Sequence, residues 1–143
     1  MTNSKLKISS WSNGVVILSL LLVFFALPHT LEDFATGEPA KAGVSAYVLA
    51  YVIAGMFALQ GAGLFWIGRQ MRPGYIVHAF VGLFWPIAAG SAQLPKILSQ
   101  GLTYRAGFIS LFYVIGMIAI GISLFIFSIL ILRTGKGARS NPD

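Results

Sequence analysis

The chain has 143 residues, of which 57% are hydrophobic and only 10% charged, and its mean hydropathy is +0.81. A soluble domain carries about 25% charged residues, so this balance excludes an ordinary water-soluble globule and points to an all-α integral membrane protein. The net charge of +6 is not a nucleic-acid footprint, because the basic residues sit singly or in pairs between apolar runs, and the lack of cysteine excludes disulfides, thiol nucleophiles and thiolate metal sites.

Residues 1–10 form a polar segment containing Lys5 and Lys7. The apolar run from Trp11 that follows could pass for a secretory leader. However, Pro28-His29-Thr30 comes after it instead of a small-x-small cleavage site, so the run is expected to persist as a first membrane helix over about 11–34. Such a helix is ~36 Å long, and Pro28 is expected to kink it by freeing the carbonyl of Phe24. Gly37 to Lys41 reads as a turn, because Gly-Glu-Pro disfavours a continuing helix.

The second helix is expected over 43–68. Ala46, Ala50, Ala54, Ala58 and Ala62 recur every fourth residue in it, a small-residue ridge suited to close helix packing in lipid. Gln60, the strongly polar residue at its centre, is expected to make an interhelical hydrogen bond. Arg69 to Gly74 is a turn, and the third helix spans about 75–94 with His78 and a kink at Trp85-Pro86. A short polar link follows from Pro95 to Thr103. The fourth helix, about 104–132, exceeds the ~20 residues needed to cross a bilayer, so it is expected to tilt or protrude. The basic tail, 133–143, reads as disordered. The fold expected is therefore a four-helix transmembrane bundle.

Four spans place both termini on one side. Lys5, Lys7, Arg69, Arg72, Arg133, Lys136 and Arg139 share that side, against Lys41, Lys96 and Arg105 on the other. The positive-inside rule then makes the termini cytoplasmic and the protein a multi-pass component of the cytoplasmic (inner) membrane.

Three of the four acidic residues, Glu32, Asp33 and Glu38, fall in one short stretch with His29, which this topology turns outward. His29, Glu32 and Asp33 are spaced i, i+3, i+4 and share one helix face. The spacing suits a metal half-site, a proton-handling pair or a substrate anchor. His78 enters its helix from the opposite side, at a depth roughly 20 Å from His29, so the two are not expected to share a metal, and no cofactor or metal is assigned. The same end of the bundle collects Tyr47 and Tyr51 from the second helix, Gln93 and Lys96 from the third, and Tyr104 and Arg105 at the start of the fourth. Arg105 is the natural counter-charge for Glu32 or Asp33. These residues can line a polar pocket for a small or lipid-like ligand, with His29 titrating near neutrality, or they can simply knit the bundle together. His78, an ionisable group within an apolar helix, is either a functional group or a hydrogen-bonded structural one.

His29-Thr30-Leu31-Glu32-Asp33 resembles the His-x-x-Glu-Glu signature of a bacterial family of small four-helix membrane proteins known as the HXXEE family, with Asp33 in place of the second glutamate. His78 and Tyr104-Arg105-Ala106-Gly107 stand where that family carries a later histidine and a Tyr-x-x-Gly stretch. The resemblance implies a four-helix membrane fold and a site at His29, Glu32 and Asp33, without naming a reaction.

The sequence thus supports a membrane protein with an outward-facing polar pocket for a small or lipid-like molecule. Two alternatives remain. One is a membrane-embedded enzyme in which His29 acts as general acid or base, oriented by Glu32 or Asp33. The other is a homo-oligomer or accessory subunit of a membrane complex, packed through the alanine ridge. The expected partners are the lipid bilayer and such a ligand or subunit, and no nucleic acid.

Overall fold

The computed structural model describes the backbone of residues 2–137 and the side chains of residues 11–134. Among the described residues there are helices and no strand: α1 (Thr2–Ala35), α2 (Glu38–Lys41), α3 (Ala46–Gly68), α4 (Arg72–Gln100), a 3-10 turn (Gly101–Thr103) and α5 (Phe108–Gly137). Four stretches, Trp11–Ala35, Ala46–Gly68, Arg72–Thr103 and Phe108–Thr134, are long and apolar enough to cross a membrane. The chain is thus all-helical with four candidate spans, as the composition requires.

Several boundaries differ from the sequence reading. No glycine or proline interrupts residues 2–10, and α1 already begins at Thr2. It runs through Pro28 and stops at Gly37, whose left-handed φ of 70° lets the chain reverse. The expected turn after it closes into the one-turn helix α2, because proline is well placed in a first helical turn. Pro73 likewise sits in the first turn of α4. Residues 95–100, expected as a polar link, continue α4 instead. Buried Gln93 and Ile97 hold this last stretch against the bundle, so tertiary contact outweighs the local signal of Pro95. The fourth membrane helix starts at Phe108, not Tyr104, after a turn in which Arg105 and Gly107 have φ of 47° and 66°. At the C-terminus α5 reaches Gly137, so the start of the expected disordered tail is helical, and residues 138–143 lie outside the described residues.

The core includes Val15, Leu22 and Ala26 from α1, Met56 and Ile67 from α3, Val81, Trp85 and Ala89 from α4, and Val114, Met117 and Leu124 from α5. The tightest pairing is α4 on α5. A methyl group added to Gly82 would lie 2.7 Å from the backbone nitrogen of Phe125, and one on Gly121 would lie 2.5 Å from Pro86 Cγ. These two glycines let the backbones touch. In lipid such contact must come from van der Waals packing, since burial of apolar surface supplies no drive.

α3 packs mainly on α4 and meets α1 over a smaller area. Its inward face is Met56, Gln60, Gly63 and Ile67. Gly63 accommodates the His78 ring, whose Cε1 would sit 2.6 Å from an added methyl. Within the chain the alanine ridge is therefore not the face on which α3 packs: Ala46, Ala50, Ala54 and Ala58 are exposed. The cause is the rotation of α3, which Gln60 fixes by reaching α1. At about 100° per residue Ala58 lies about 200° around the helix from Gln60.

The glycine contacts predict contrasting substitutions. Gly82→Val should lower stability by about 1–3 kcal/mol through forced separation of α4 and α5. Gly61→Ala, where an added methyl meets nothing within 4 Å, should be neutral or slightly stabilising. Thermal unfolding of the two variants in the same detergent checks this.

Candidate functional site

The site lies at the end of the bundle where α1 stops. Glu32 and Asp33 occupy the last turn of α1, Glu38 opens α2, Gln93 and Lys96 come from α4, Tyr104 and Arg105 from the turn before α5, and Ser110 from the first turn of α5. Arg105 is the centre. Its Nη1 lies 2.6 Å from Asp33 Oδ1 and 3.8 Å from Glu32 Oε2, and its Nη2 lies 3.4 Å from Glu38 Oε2. Nη2 also donates to Gln93 Oε1 at 3.2 Å. One guanidinium thus serves three carboxylates, a task its planar fork of five donors suits.

Each carboxylate has further partners. Gln93 Nε2 donates to Asp33 Oδ1 at 3.3 Å, and Tyr104 donates its hydroxyl hydrogen to Gln93 Oε1. Ser110 donates to Glu32 Oε1 and accepts from the backbone nitrogen of Ala106 at 3.0 Å. Glu38 is held by Lys96 and, at 3.0 Å, by Lys41. The hydrogen bond from Lys96, aided by Lys41 and Arg105 against burial, holds the Glu38 carboxyl at about 2, well below its usual range. Burial pushes the Tyr104 phenol up to about 12, with Asp33, Glu32 and Glu38 adding to it against the Arg105 charge. Burial alone would lower Arg105, but the bond to Asp33 and the surrounding negative charge outweigh it and raise it. Tyr104 therefore stays a donor and Arg105 a cation.

His29 sits beneath this network and is 3% exposed. Its Nε2 is 3.5 Å from Asp33 Oδ2, and its Nδ1 is 4.0 Å from Glu32 Oε2, beyond hydrogen-bond reach. Nδ1 is buried with no hydrogen-bond partner, as is Trp85 Nε1. Both side chains border a cavity of about 540 Å³ between α1, α2, α3 and α4. Thr30, Asp33, Glu38, Lys41, Gln93 and Lys96 form its polar rim. Val52 and Ile53 of α3, Phe84, Trp85, Ala88 and Ala89 of α4, and Met117 of α5 form its apolar wall. Among the described residues no three His, Asp or Glu side chains are arranged to hold a metal ion.

The structure brings together His29, Glu32, Asp33, Gln93, Tyr104 and Arg105. It leaves Tyr47 and Tyr51 apart: they are 81% and 79% exposed on the outer face of α3. The physical reason is again the rotation set by Gln60, since residues nine and thirteen positions earlier lie about 180° and 220° around the helix. Leu49, Val52 and Ile53 take their place at the cavity. Ser110 and Trp85 carried no sequence signal as site residues. A lone serine opening an apolar helix looks like a cap, and Trp85 looks like packing.

Gln60 and His78 form a second cluster, deeper in the bundle. Gln60 Nε2 donates to Ser19 O and Ser19 Oγ, both at 2.8 Å, while Ser19 Oγ is 3.0 Å from His78 Nε2. His78 Nδ1 lies 2.8 Å from Gly74 O. A carbonyl only accepts, so Nδ1 carries the proton, and a neutral His78 accepts from Ser19. This chain of bonds ties α1, α3 and α4 together. Ser19 precedes His29 by ten residues, roughly 15 Å along α1, so the two clusters are separate. Comparison with known protein families, curated proteins and solved structures finds no match for this chain.

Two outcomes follow from the charge network. Arg105→Gln should cost about 2 kcal/mol, between the exposed and buried limits for ion pairs, and Arg105→Lys should not restore it because one ammonium cannot bridge three carboxylates. Because Glu38 is depressed from 4.5 to about 2, its contribution to stability is complete above pH 4.5 and is lost as pH falls through about 2. Melting temperatures measured across that window should fall in the wild type and change less in Glu38→Gln.

Proposed function

We propose that the protein is a multi-pass protein of the cytoplasmic membrane that binds a small or lipid-like molecule in the cavity beneath Glu38. The observation that carries this reading is the cavity itself. Its volume of about 540 Å³ falls within the roughly 300–1,000 Å³ of ligand sites, and it joins a polar rim to an apolar wall. A molecule with a polar head and an apolar body matches both. The seven-to-three distribution of basic residues supports cytoplasmic termini and an outward-facing rim. The likeness of His29-Thr30-Leu31-Glu32-Asp33 to the HXXEE signature supports the same choice of residues.

Acid–base chemistry on a lipophilic substrate is the second reading. It is favoured by one observation, the His29 imidazole between two carboxylates at the cavity wall.

Mass spectrometry of lipids and small molecules co-purifying in mild detergent tests the binding reading. The wild type should retain a defined species. Ala92→Trp, which fills the cavity mouth from an exposed position, should lose it, as should the His29→Ala, Glu32→Gln double variant. Equal retention by all three proteins would overturn the reading. Conversion of the retained species by the wild type, abolished in His29→Gln, would establish the second reading.

A further inference from the structure

A second depression lies beside the cavity. Phe80, Leu83, Phe84, Ile87 and Ala88 line an apolar groove of about 350 Å³ on α4. Their spacing, i, i+3, i+4, i+7, i+8, makes one stripe along the helix. Phe80, Leu83 and Ile87 are exposed on it. Phe84 and Ala88 also line the cavity, so cavity and groove share a wall. The groove has no polar side chain, and it meets the cavity at the apolar wall, where Phe84 and Ala88 line both.

The rim limits the head of whatever binds. Its charged lining residues are Asp33 and Glu38 against Lys41 and Lys96, so the charges cancel. None of the four is spare. Glu38 is paired with Lys41, Lys96 and Arg105, and Asp33 with Arg105. An anionic head would have to take a lysine from Glu38. A cationic head would have to take a carboxylate from Lys96 or Arg105. A zwitterion would do both. Glu38 would keep two of its three cationic partners and Arg105 two of its three carboxylates, so a charged head weakens pairs already made, and the cancelled charges of the rim give it no net attraction in return. An uncharged hydroxyl adds hydrogen bonds to the rim and breaks no ion pair. Chain transfer from lipid to an apolar groove gains little, because lipid tails are equally apolar, so the head decides which molecule is held.

Resting on the binding reading above, we propose that the ligand is a single-chain amphiphile with an uncharged, hydroxyl-bearing head. The head lies under the Glu38–Lys96 rim. The chain leaves the cavity past Phe84 and Ala88 and runs along the α4 groove, so that the molecule enters sideways from the bilayer.

The test uses the full chain in lipid nanodiscs and a monoacylglycerol carrying a diazirine at its chain end. After irradiation, adducts are mapped by peptide mass spectrometry. Labelling should concentrate on residues 80–88. The Leu83→Trp, Ile87→Trp double variant, which fills the groove without touching cavity-only residues, should reduce it by roughly an order of magnitude. Unlabelled monoacylglycerol should compete, whereas lysophosphatidate, lysophosphatidylcholine and an alkyltrimethylammonium of equal chain length should not. Adducts spread equally over exposed Ile17 of α1 and Ile122 of α5 would overturn the chain path, and better competition by any charged probe would overturn the uncharged head. If the wild type retains a species that Ala92→Trp loses while residues 80–88 are never labelled, cavity binding stands and this inference fails.

Discussion

The Arg105 guanidinium is the interaction on which this end of the molecule depends. The chain has four acidic residues, and three of them converge on this one side chain, which is only 8% exposed. Charges with little access to water must be paired or they destabilise the fold. Here the pairing also has a topological effect. Glu32 and Asp33 end α1, Glu38 begins α2, Gln93 belongs to α4, and Arg105 itself sits in the turn before α5. A single cation therefore fixes the relative positions of four segments. It does so from a left-handed backbone conformation, φ 47°, that costs a non-glycine residue on the order of 1 kcal/mol. That local cost is offset because the conformation aims the guanidinium back over the bundle end.

The rest of the architecture follows from where such ties exist and where they do not. α4 and α5 touch along Gly82 and Gly121, and α3 meets α4 along Gly63, with the Ser19–Gln60–His78 chain locking its rotation. These contacts concentrate in the half of α3 that follows Met56. The first half of α3 has no polar tie to α1 and carries only partly buried or exposed side chains. The Arg105 network holds the ends of α1, α2 and α4 together above it, while α3 stands off below. The cavity is the space this mismatch leaves, which is why its rim is charged and its wall apolar.

Much of this was legible in the sequence. Four long apolar runs announced the spans, and the concentration of acids beside His29 announced the network, including Arg105 as its counter-charge. The rotation of α3 was not legible. In a soluble protein the polar face of a helix reveals its buried face, but a lipid-facing helix is apolar all round, and its periodicity says little about which side is inward. The alanine ridge was the strongest periodic signal in α3, yet it faces away from the chain's own core, carrying Tyr47 and Tyr51 with it. Gln60 held the answer, but only its partner, a lone Ser19 in an apolar run, reveals the direction. The continuation of α4 through Pro95 was hidden for a related reason: Ile97 and Lys96 gain partners that no local pattern shows.

The two polar clusters also divide the labour of the molecule. At the Ser19 cluster the donors are all used, with Gln60 Oε1 left as a buried acceptor without a partner, and the bonds join α1, α3 and α4 as an interhelical clasp. At the other end Asp33 and Glu38 are paired and border the cavity, Glu32 Oε2 is buried without a hydrogen-bond partner, and so are two nitrogens at the cavity, His29 Nδ1 and Trp85 Nε1. A buried polar atom without a partner carries a desolvation cost of about 1–3 kcal/mol, so the fold gains whenever a bound group supplies the missing hydrogen bond. The carboxylates meanwhile need no rearrangement, because Arg105, Lys96 and Ser110 already hold them. Fixed charges beside unfilled neutral hydrogen-bonding capacity are the features on which the proposed uncharged head rests, and the same ion pairs that hold the bundle end together are what a charged head would have to disturb.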